Sequence, residues 1–167
     1  HAVMSLNNSD FGSRKFIMVQ LPEPCNQGEY KNICEIGKER IRRAGENLNF
    51  GDRGFRVLKL DSSNYRENIY LTPQEYTQEK LDDMIENIKS ERSGIDLLFG
   101  EIAGLGLPLN LKYRTENINS FTLYFYGDNE IIACFDSGIT RALVEHIAKL
   151  KPVRAVFRDS CFEDSNV

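Results

Sequence analysis

The first third of the chain has apolar residues at two different spacings, which predict helices and strands in alternation. Residues 1–9 (HAVMSLNNS) have apolar side chains at helical spacing, as at the end of a helix. Residues 14–21 (RKFIMVQL) form a short, nearly continuous apolar run, and 54–61 (GFRVLKLD) is a similar run, so each predicts a buried strand. With one helix between the two strands, the pattern favours a βαβ unit with a parallel sheet and a right-handed crossover.

The helix predicted between these strands, residues 30–48 (YKNICEIGKERIRRAGENL), is amphipathic. Its apolar face consists of Ile33, Ile36, Ile41 and Ala44. Its opposite face has a basic run of Lys38, Arg40, Arg42 and Arg43. We interpret the basic residues first as a solvated face, with Glu35 and Glu39 as ion-pair partners. The alternative is that Lys38, Arg42 and Arg43 contact DNA or another subunit.

After residue 61 the sequence becomes polar and turn-rich, so we divide the chain at about residue 62. Thr72-Pro73-Gln74-Glu75 has the pattern of a capping box, which predicts a helix with Ile88 on its inward face and an end near Ser93-Gly94. The further predicted elements are a short apolar helix over 95–108, a hairpin over 121–136, a helix from Thr140 and a strand over 153–159.

Composition narrows the class of protein. The 167 residues are 41% hydrophobic and 28% charged, as in globular proteins with a real core. A net charge of -4 argues against an autonomous nucleic-acid binder held mainly by phosphate contacts, although a local basic patch remains compatible with it. The apolar runs are too short for a membrane span. The four scattered cysteines predict free thiols in a reducing, cytoplasmic setting, and neither they nor His146 predict a metal site.

None of the common catalytic or cofactor-binding motifs occurs in the sequence. Two stretches remain as candidates for a functional site. Asp61-Ser62-Ser63-Asn64-Tyr65 follows a predicted strand, where α/β folds place functional groups, but its side chains also suit an Asx-type turn. The turn is the favoured interpretation. Gln20 lies at the end of the first predicted strand, where doubly wound folds contact a ribose. An ordinary strand-end residue is the alternative, and it is favoured. We assign no catalytic residue.

Several stretches together resemble a known family. They are HAVM, RKFIMVQLPEPC, ICEIGKERIRRAG, GFRVLKLDSSN, LLF, ACFD and AKLKPVRAVFRDS. In this order they resemble the C-terminal part of the methyltransferase (Mod) subunit of type III restriction-modification systems. The resemblance implies a bacterial, cytoplasmic DNA adenine-N6 methyltransferase that uses S-adenosylmethionine. Its implied partners are DNA, a second Mod subunit and the restriction (Res) subunit.

The resemblance also implies a domain organisation. The fold class is α/β: residues 1–61 are expected to be the distal part of a partial Rossmann-like methyltransferase sheet, and residues 62–167 a smaller α+β C-terminal domain. In this family the catalytic Asp-Pro-Pro-Tyr motif and the Phe-x-Gly-x-Gly cofactor loop precede the segment that matches His1. We therefore expect the chain alone to be an inactive scaffold that binds the cofactor weakly or not at all.

The resemblance assigns provisional roles to a few residues. Gln20 occupies the position where related folds have an acidic residue for the ribose hydroxyls, so it offers a hydrogen-bond acceptor without charge. Leu21, Pro22 and Glu23, in the loop that follows, are expected to line the adenine of the cofactor. The alternative function for residues 62–167 is an interaction module for Mod dimerisation or for docking of the restriction subunit. A truncated sheet is also expected to self-associate through its exposed edges.

Overall fold

The computed structural model describes residues 1–48, 51–66, 77 and 87–162. The chain divides into two compact units, His1–Leu58 and Lys59–Val167. The boundary lies close to the division after residue 61 that the sequence predicts. The assignment of each part to a domain of a methyltransferase stays a prediction.

The first unit contains two helices and a small hairpin. Helix α1 spans Ala2–Asp10, strands β1 (Pro24–Gln27) and β2 (Tyr30–Asn32) pair antiparallel, and helix α2 spans Ile33–Glu46. The helices predicted in residues 1–9 and 30–48 are therefore confirmed. The hairpin was not predicted, because its strands are short and polar and lie in a stretch with proline and glycine.

Local chemistry explains where α2 begins and how it is buried. Asn32 is the N-cap, and its side-chain oxygen accepts a 3.1 Å hydrogen bond from the backbone N–H of Glu35. Near its C-terminal end Ala44 packs with Met4 of α1 and with Leu48 in a small buried cluster. The predicted apolar face is thus the inward face, although Ile33, Ile36 and Ile41 are only half-buried.

The two strands predicted before residue 62 are wrong. Residues 14–21 and 54–61 have no regular secondary structure, and Ile17, Val19 and Leu60 are 95%, 93% and 99% exposed. A strand forms only where a neighbour pairs its N–H and C=O groups, and the described residues supply no such neighbour for either run. The parallel βαβ unit predicted for residues 1–61 is therefore not formed.

The second unit contains a mixed four-stranded sheet. Its helices are α3 (Gly94–Gly104) and α4 (Arg141–Leu150), and its strands are β3 (Tyr113–Ile118), β4 (Phe121–Tyr126), β5 (Ile131–Cys134) and β6 (Arg154–Phe157). The sheet order is β3-β4-β5-β6, with β5 and β6 parallel and the other pairs antiparallel. A 3-10 turn follows at Asp159–Cys161. The mixed α/β class, the β4–β5 hairpin, both helices and the last strand are confirmed.

The sheet lies between the two helices. On one face Leu98 and Ile102 of α3 pack with Tyr126, Ile131 and Ala133. On the other face Leu143 and Ile147 of α4 pack with a second set, which comprises Leu123, Phe125, Ile132, Cys134, Ile139 and Cys161. Each residue of β5 is fully buried because the strand is covered on both faces, which explains its continuous apolar sequence IIAC.

Two further differences concern the edges of this unit. Strand β3 was not predicted, because it is an edge strand with the polar sequence YRTENI and mostly exposed side chains. The capping box at residues 72–75 and most of the helix predicted after it lie outside the described residues. At the end of that predicted helix Ile88 forms an isolated antiparallel bridge with Tyr65, so the helix does not extend to this position.

Candidate functional site

The three residues predicted to bind the cofactor lie in an exposed segment before β1. Gln20, Leu21 and Pro22 are all exposed, and Leu21 is 68% exposed. The side-chain amide of Gln20 donates to the backbone carbonyl of Leu21 at 3.1 Å, and the thiol of Cys34 donates to the carbonyl of Gln20 at 3.4 Å. Gln20 is therefore not at the end of a buried strand, and its predicted role stays a prediction.

Two arginines of the basic run of α2, Arg42 and Arg43, form ion pairs along the helix. Arg43 and Arg42 both contact the carboxylate of Glu39, at 2.8 and 3.5 Å. The Arg43 guanidinium lowers the pKa of Glu39 and in turn has its own pKa raised. Glu35 instead accepts a 2.7 Å hydrogen bond from the backbone N–H of Lys31. This arrangement is that of a solvated face; contact of Lys38, Arg42 and Arg43 with DNA or a subunit stays a prediction.

The stretch from Asp61 to Tyr65 forms local turns, as the favoured interpretation has it. The carboxylate of Asp61 accepts a 2.7 Å hydrogen bond from the backbone N–H of Ser62, and the hydroxyl of Ser63 accepts one of 3.1 Å from the N–H of Tyr65. The Ser62 N–H, followed by Arg92, holds the pKa of Asp61 below its usual value.

Two cations anchor this turn to the segment before α3. One nitrogen of the Arg92 guanidinium lies 3.2 Å from the Asp61 carboxylate, and another donates to the Ser62 hydroxyl at 2.8 Å. The ammonium of Lys89 donates to the same hydroxyl at 2.9 Å. The turn thereby fixes the direction of both cationic side chains.

A cleft of about 270 Å³ lies beside these cations, within the second unit. Its walls are formed by Arg66, Ile88, Lys89, Ser90, Arg92, Gly94, Leu97, Tyr124, Phe135, Asp136 and Arg158. Phe135 and Asp136 directly follow β5, and Arg158 directly follows β6. Because β5 and β6 are parallel, these residues lie at the carboxyl ends of both strands, which is where α/β sheets commonly bind ligands.

The cleft is positively charged although the chain carries a net charge of -4. Four of its lining side chains are cationic and one, Asp136, is a carboxylate that accepts a hydrogen bond from the backbone N–H of Thr122. The Arg92 side chain is 11% exposed, and its Nε is buried without a hydrogen-bond partner. A buried guanidinium nitrogen of this kind favours an acceptor supplied from outside the chain.

Two aromatic rings form another wall of the cleft. Tyr124 and Phe135 are half-buried, with ring centroids 5.8 Å apart and a tilt of 41°. Burial, followed by the nearby Asp136 carboxylate, raises the pKa of the Tyr124 phenol. The Tyr124 ring lies against Gly94 at the start of α3, where a Cβ atom would be 2.6 Å from its Cζ.

The cleft was missed by the sequence analysis. Its cationic residues are spread from residue 66 to residue 158, and no motif connects them. The predicted hairpin (121–136) and strand (153–159) include Asp136 and Arg158, whereas in the structure β5 and β6 end earlier and Phe135 and Arg158 directly follow them. The sequence did not predict that these two strands are neighbours.

Neither a membrane-spanning helix nor a metal-binding group occurs in the part of the chain that the structure describes. None of the described helices is both long enough and apolar enough to cross a bilayer. No group of three or more His, Cys, Asp or Glu residues is close enough to hold a metal ion within these ranges. All four cysteines are free thiols, as predicted, and Cys134 and Cys161 are buried.

Comparison with curated proteins connects the chain to the modification subunits of type III restriction-modification enzymes. A relative of this class is the EcoP15I Mod subunit of Escherichia coli, which is 31% identical over 96 residues. The match covers 46% of this chain, which spans about 15% of the length of the relative. The resemblance to a segment of a Mod subunit is therefore confirmed. No protein-family profile and no solved structure matches the chain.

Proposed function

We propose that the chain is a segment of the Mod subunit of a type III restriction-modification system. The whole protein would transfer a methyl group from S-adenosylmethionine to the N6 atom of adenine in DNA. The observation that carries this proposal is the 31% identity over 96 residues with the EcoP15I Mod subunit. In this proposal the chain is scaffold, and the groups that react lie in other parts of the protein.

The three residues predicted to bind the cofactor do not by themselves enclose S-adenosylmethionine. Small-molecule sites bury about 70–90% of their ligand. The segment of Gln20, Leu21 and Pro22 is exposed, so it offers one amide and two apolar side chains without an enclosing wall. We therefore expect weak or absent cofactor binding by the chain alone, and we propose that Gln20 accepts a ribose hydrogen bond only where the rest of the fold encloses it.

Calorimetric titration tests this proposal. S-adenosylmethionine is titrated into the 167-residue chain and into a longer product of the same gene that includes a Phe-x-Gly-x-Gly loop. The expected result is binding heat from the longer protein alone. In that longer protein Gln20→Ala should weaken binding by roughly tenfold, the effect of one lost hydrogen bond. Asn110→Ala, at another exposed amide, is the control.

Methyl transfer provides the decisive measurement. The longer protein should incorporate labelled methyl groups into adenine of duplex DNA, whereas the 167-residue chain should not. Methylation of DNA by the 167-residue chain itself contradicts its role as scaffold. Absence of adenine methylation by the longer protein, when it is folded, contradicts the proposed activity.

The second candidate function is an interaction module. It is favoured by the second unit, which has its own sheet and its own core on both faces of that sheet. Residues 62–167 would then dock a second Mod subunit or the restriction subunit. Sedimentation velocity of residues 59–167 tests this function: a concentration-dependent dimer supports Mod pairing, and a monomer that also does not bind the restriction subunit contradicts it.

A further inference from the structure

We propose that the basic cleft at the carboxyl ends of β5 and β6 binds the phosphate of a nucleotide, with the nucleotide's base against Tyr124 and Phe135. The geometry of the cleft carries this inference, so it does not rest on the proposed methyltransferase function. Its ligand class is a nucleoside phosphate, either free or as one unit of a nucleic-acid strand.

The charges in the cleft select an anion. Arg66, Lys89, Arg92 and Arg158 come from three separate segments and converge on one cavity with a single lining carboxylate. Three of the four are arginines, whose planar guanidinium suits the oxygens of a phosphate. In a chain with a net charge of -4 this convergence is a local feature rather than a consequence of overall composition.

The cations are also held in place before any ligand arrives. Arg92 is fixed by Asp61 and Ser62, and Lys89 is fixed by Ser62. Two nitrogens of the Arg92 guanidinium have partners in the turn, whereas its buried Nε has none. Side chains that are ordered in advance lose less conformational entropy on binding, which favours affinity.

The aromatic wall distinguishes a nucleotide from a simple anion. A base presents a flat π-face, and proteins that bind single-stranded nucleic acid stack such faces on Tyr and Phe. Tyr124 and Phe135 line the cavity and are half-buried, so the protein does not cover either residue completely. The cavity of about 270 Å³ is just below the usual range for drug-sized ligands and suits one nucleotide unit.

Fluorescence anisotropy with the full 167-residue chain tests this inference. The probe is a fluorescein-labelled single-stranded DNA of twelve nucleotides at low ionic strength, with AMP and inorganic phosphate as competitors. The expected result is saturable binding that AMP displaces at lower concentration than inorganic phosphate. Tighter binding of the strand than of AMP identifies nucleic acid as the source of the nucleotide, and the reverse identifies a free nucleotide.

Charge substitutions locate the binding in the cleft. The double variant Arg66→Gln, Arg158→Gln should bind the probe at least tenfold more weakly, with a salt dependence reduced by about one unit of slope. The control is the double variant Arg141→Gln, Arg154→Gln, which removes the same charge at exposed positions of the same unit outside the cleft. If the double variant does not fold, the single variant Arg66→Gln replaces it, because Arg66 is at an exposed position.

A separate variant tests the contact between the base and the aromatic wall of the cleft. Phe135→Leu should weaken binding of the DNA strand and of AMP by roughly tenfold, while binding of inorganic phosphate stays unchanged. Three results overturn the inference: no binding of the probe by the folded wild-type chain, equal losses in the cleft variant and the charge control, or displacement by inorganic phosphate as effective as by AMP. None of these assays involves methyl transfer, so they fail or succeed independently of the proposed function.

Discussion

Single residues in the second unit show how backbone position and side-chain chemistry are coupled. Ser93 begins α3 through a capping box: its hydroxyl accepts a 3.3 Å hydrogen bond from the N–H of Asp96, while the Asp96 carboxylate accepts from the N–H of Ser93 at 2.8 Å. The next residue, Gly94, lets the Tyr124 ring lie against the first turn of the helix. Both features can be tested by single substitutions.

Gly94→Ala is expected to destabilise the protein. The added Cβ would lie 2.6 and 2.8 Å from Cζ and Cε2 of Tyr124, and that ring is packed against Phe135. The expected cost is about 1–3 kcal/mol, the usual effect of overpacking. Gly104→Ala in the same helix is the control, because a Cβ there meets no atom within 4 Å and should be neutral or stabilising. Urea unfolding measures both, and equal stability of the two variants would contradict the packing described.

Asp96 should contribute to the loss of stability in acid. Hydrogen bonds from the Ser93 hydroxyl and then its N–H lower the pKa of Asp96 below 3.8 in the folded state. The stability from the charged carboxylate is therefore complete above about pH 3.8 and is lost as the pH falls through the lower folded pKa. Urea midpoints between pH 7 and pH 2 should fall less steeply for Asp96→Asn than for the wild type. An identical pH profile for the two proteins would contradict this role.

At the level of secondary-structure elements, covered and uncovered apolar runs behave differently. Strand β5 and residues 14–21 both read as buried strands in the sequence. Strand β5 pairs with β4 and β6 and is packed by helices on both faces, whereas residues 14–21 have no strand partner among the described residues. The difference lies in what surrounds each run rather than in its composition.

Truncation of one isoleucine in each run tests this difference. Ile132→Ala in β5 removes a fully buried side chain and should cost about 2–5 kcal/mol. Ile17→Ala removes a side chain that is 95% exposed and should change the free energy of unfolding by less than about 0.5 kcal/mol. Urea unfolding followed by circular dichroism gives both values. A cost above 2 kcal/mol for Ile17→Ala would restore the strand that the sequence predicts for residues 14–21.

For the whole molecule, the exposed apolar residues of the first unit are the main reason to expect self-association. Ile17 and Val19 are almost fully exposed, and exposed apolar surface of this kind promotes association. We therefore expect self-association of the isolated chain that increases with concentration in sedimentation velocity. The double variant Ile17→Lys, Val19→Lys should reduce it. The control, Asn110→Lys with Ser137→Lys, adds the same charge at exposed polar positions, and an equal reduction there would assign the effect to charge alone.

The sequence by itself determined the elements whose signals are local. It predicted α2 through the spacing of its isoleucines, and the β4–β5 hairpin through the turn residues Gly127-Asp128-Asn129, because helical spacing and turns depend on neighbouring residues. It also contained the resemblance to a Mod subunit. It had no local signal for β3, whose polar residues become a strand only by pairing with β4.

Tertiary structure decided which apolar runs are buried and where cations meet. Residues 14–21 and 54–61 look like strands, but burial needs a partner and a covering layer, and both are long-range properties. The basic cleft arises in the same way: Arg66, Arg92 and Arg158 are distant in sequence and become neighbours only when β6 pairs with β5 beside the start of α3. Local chemistry sets individual elements, whereas pairing between distant segments sets the sites.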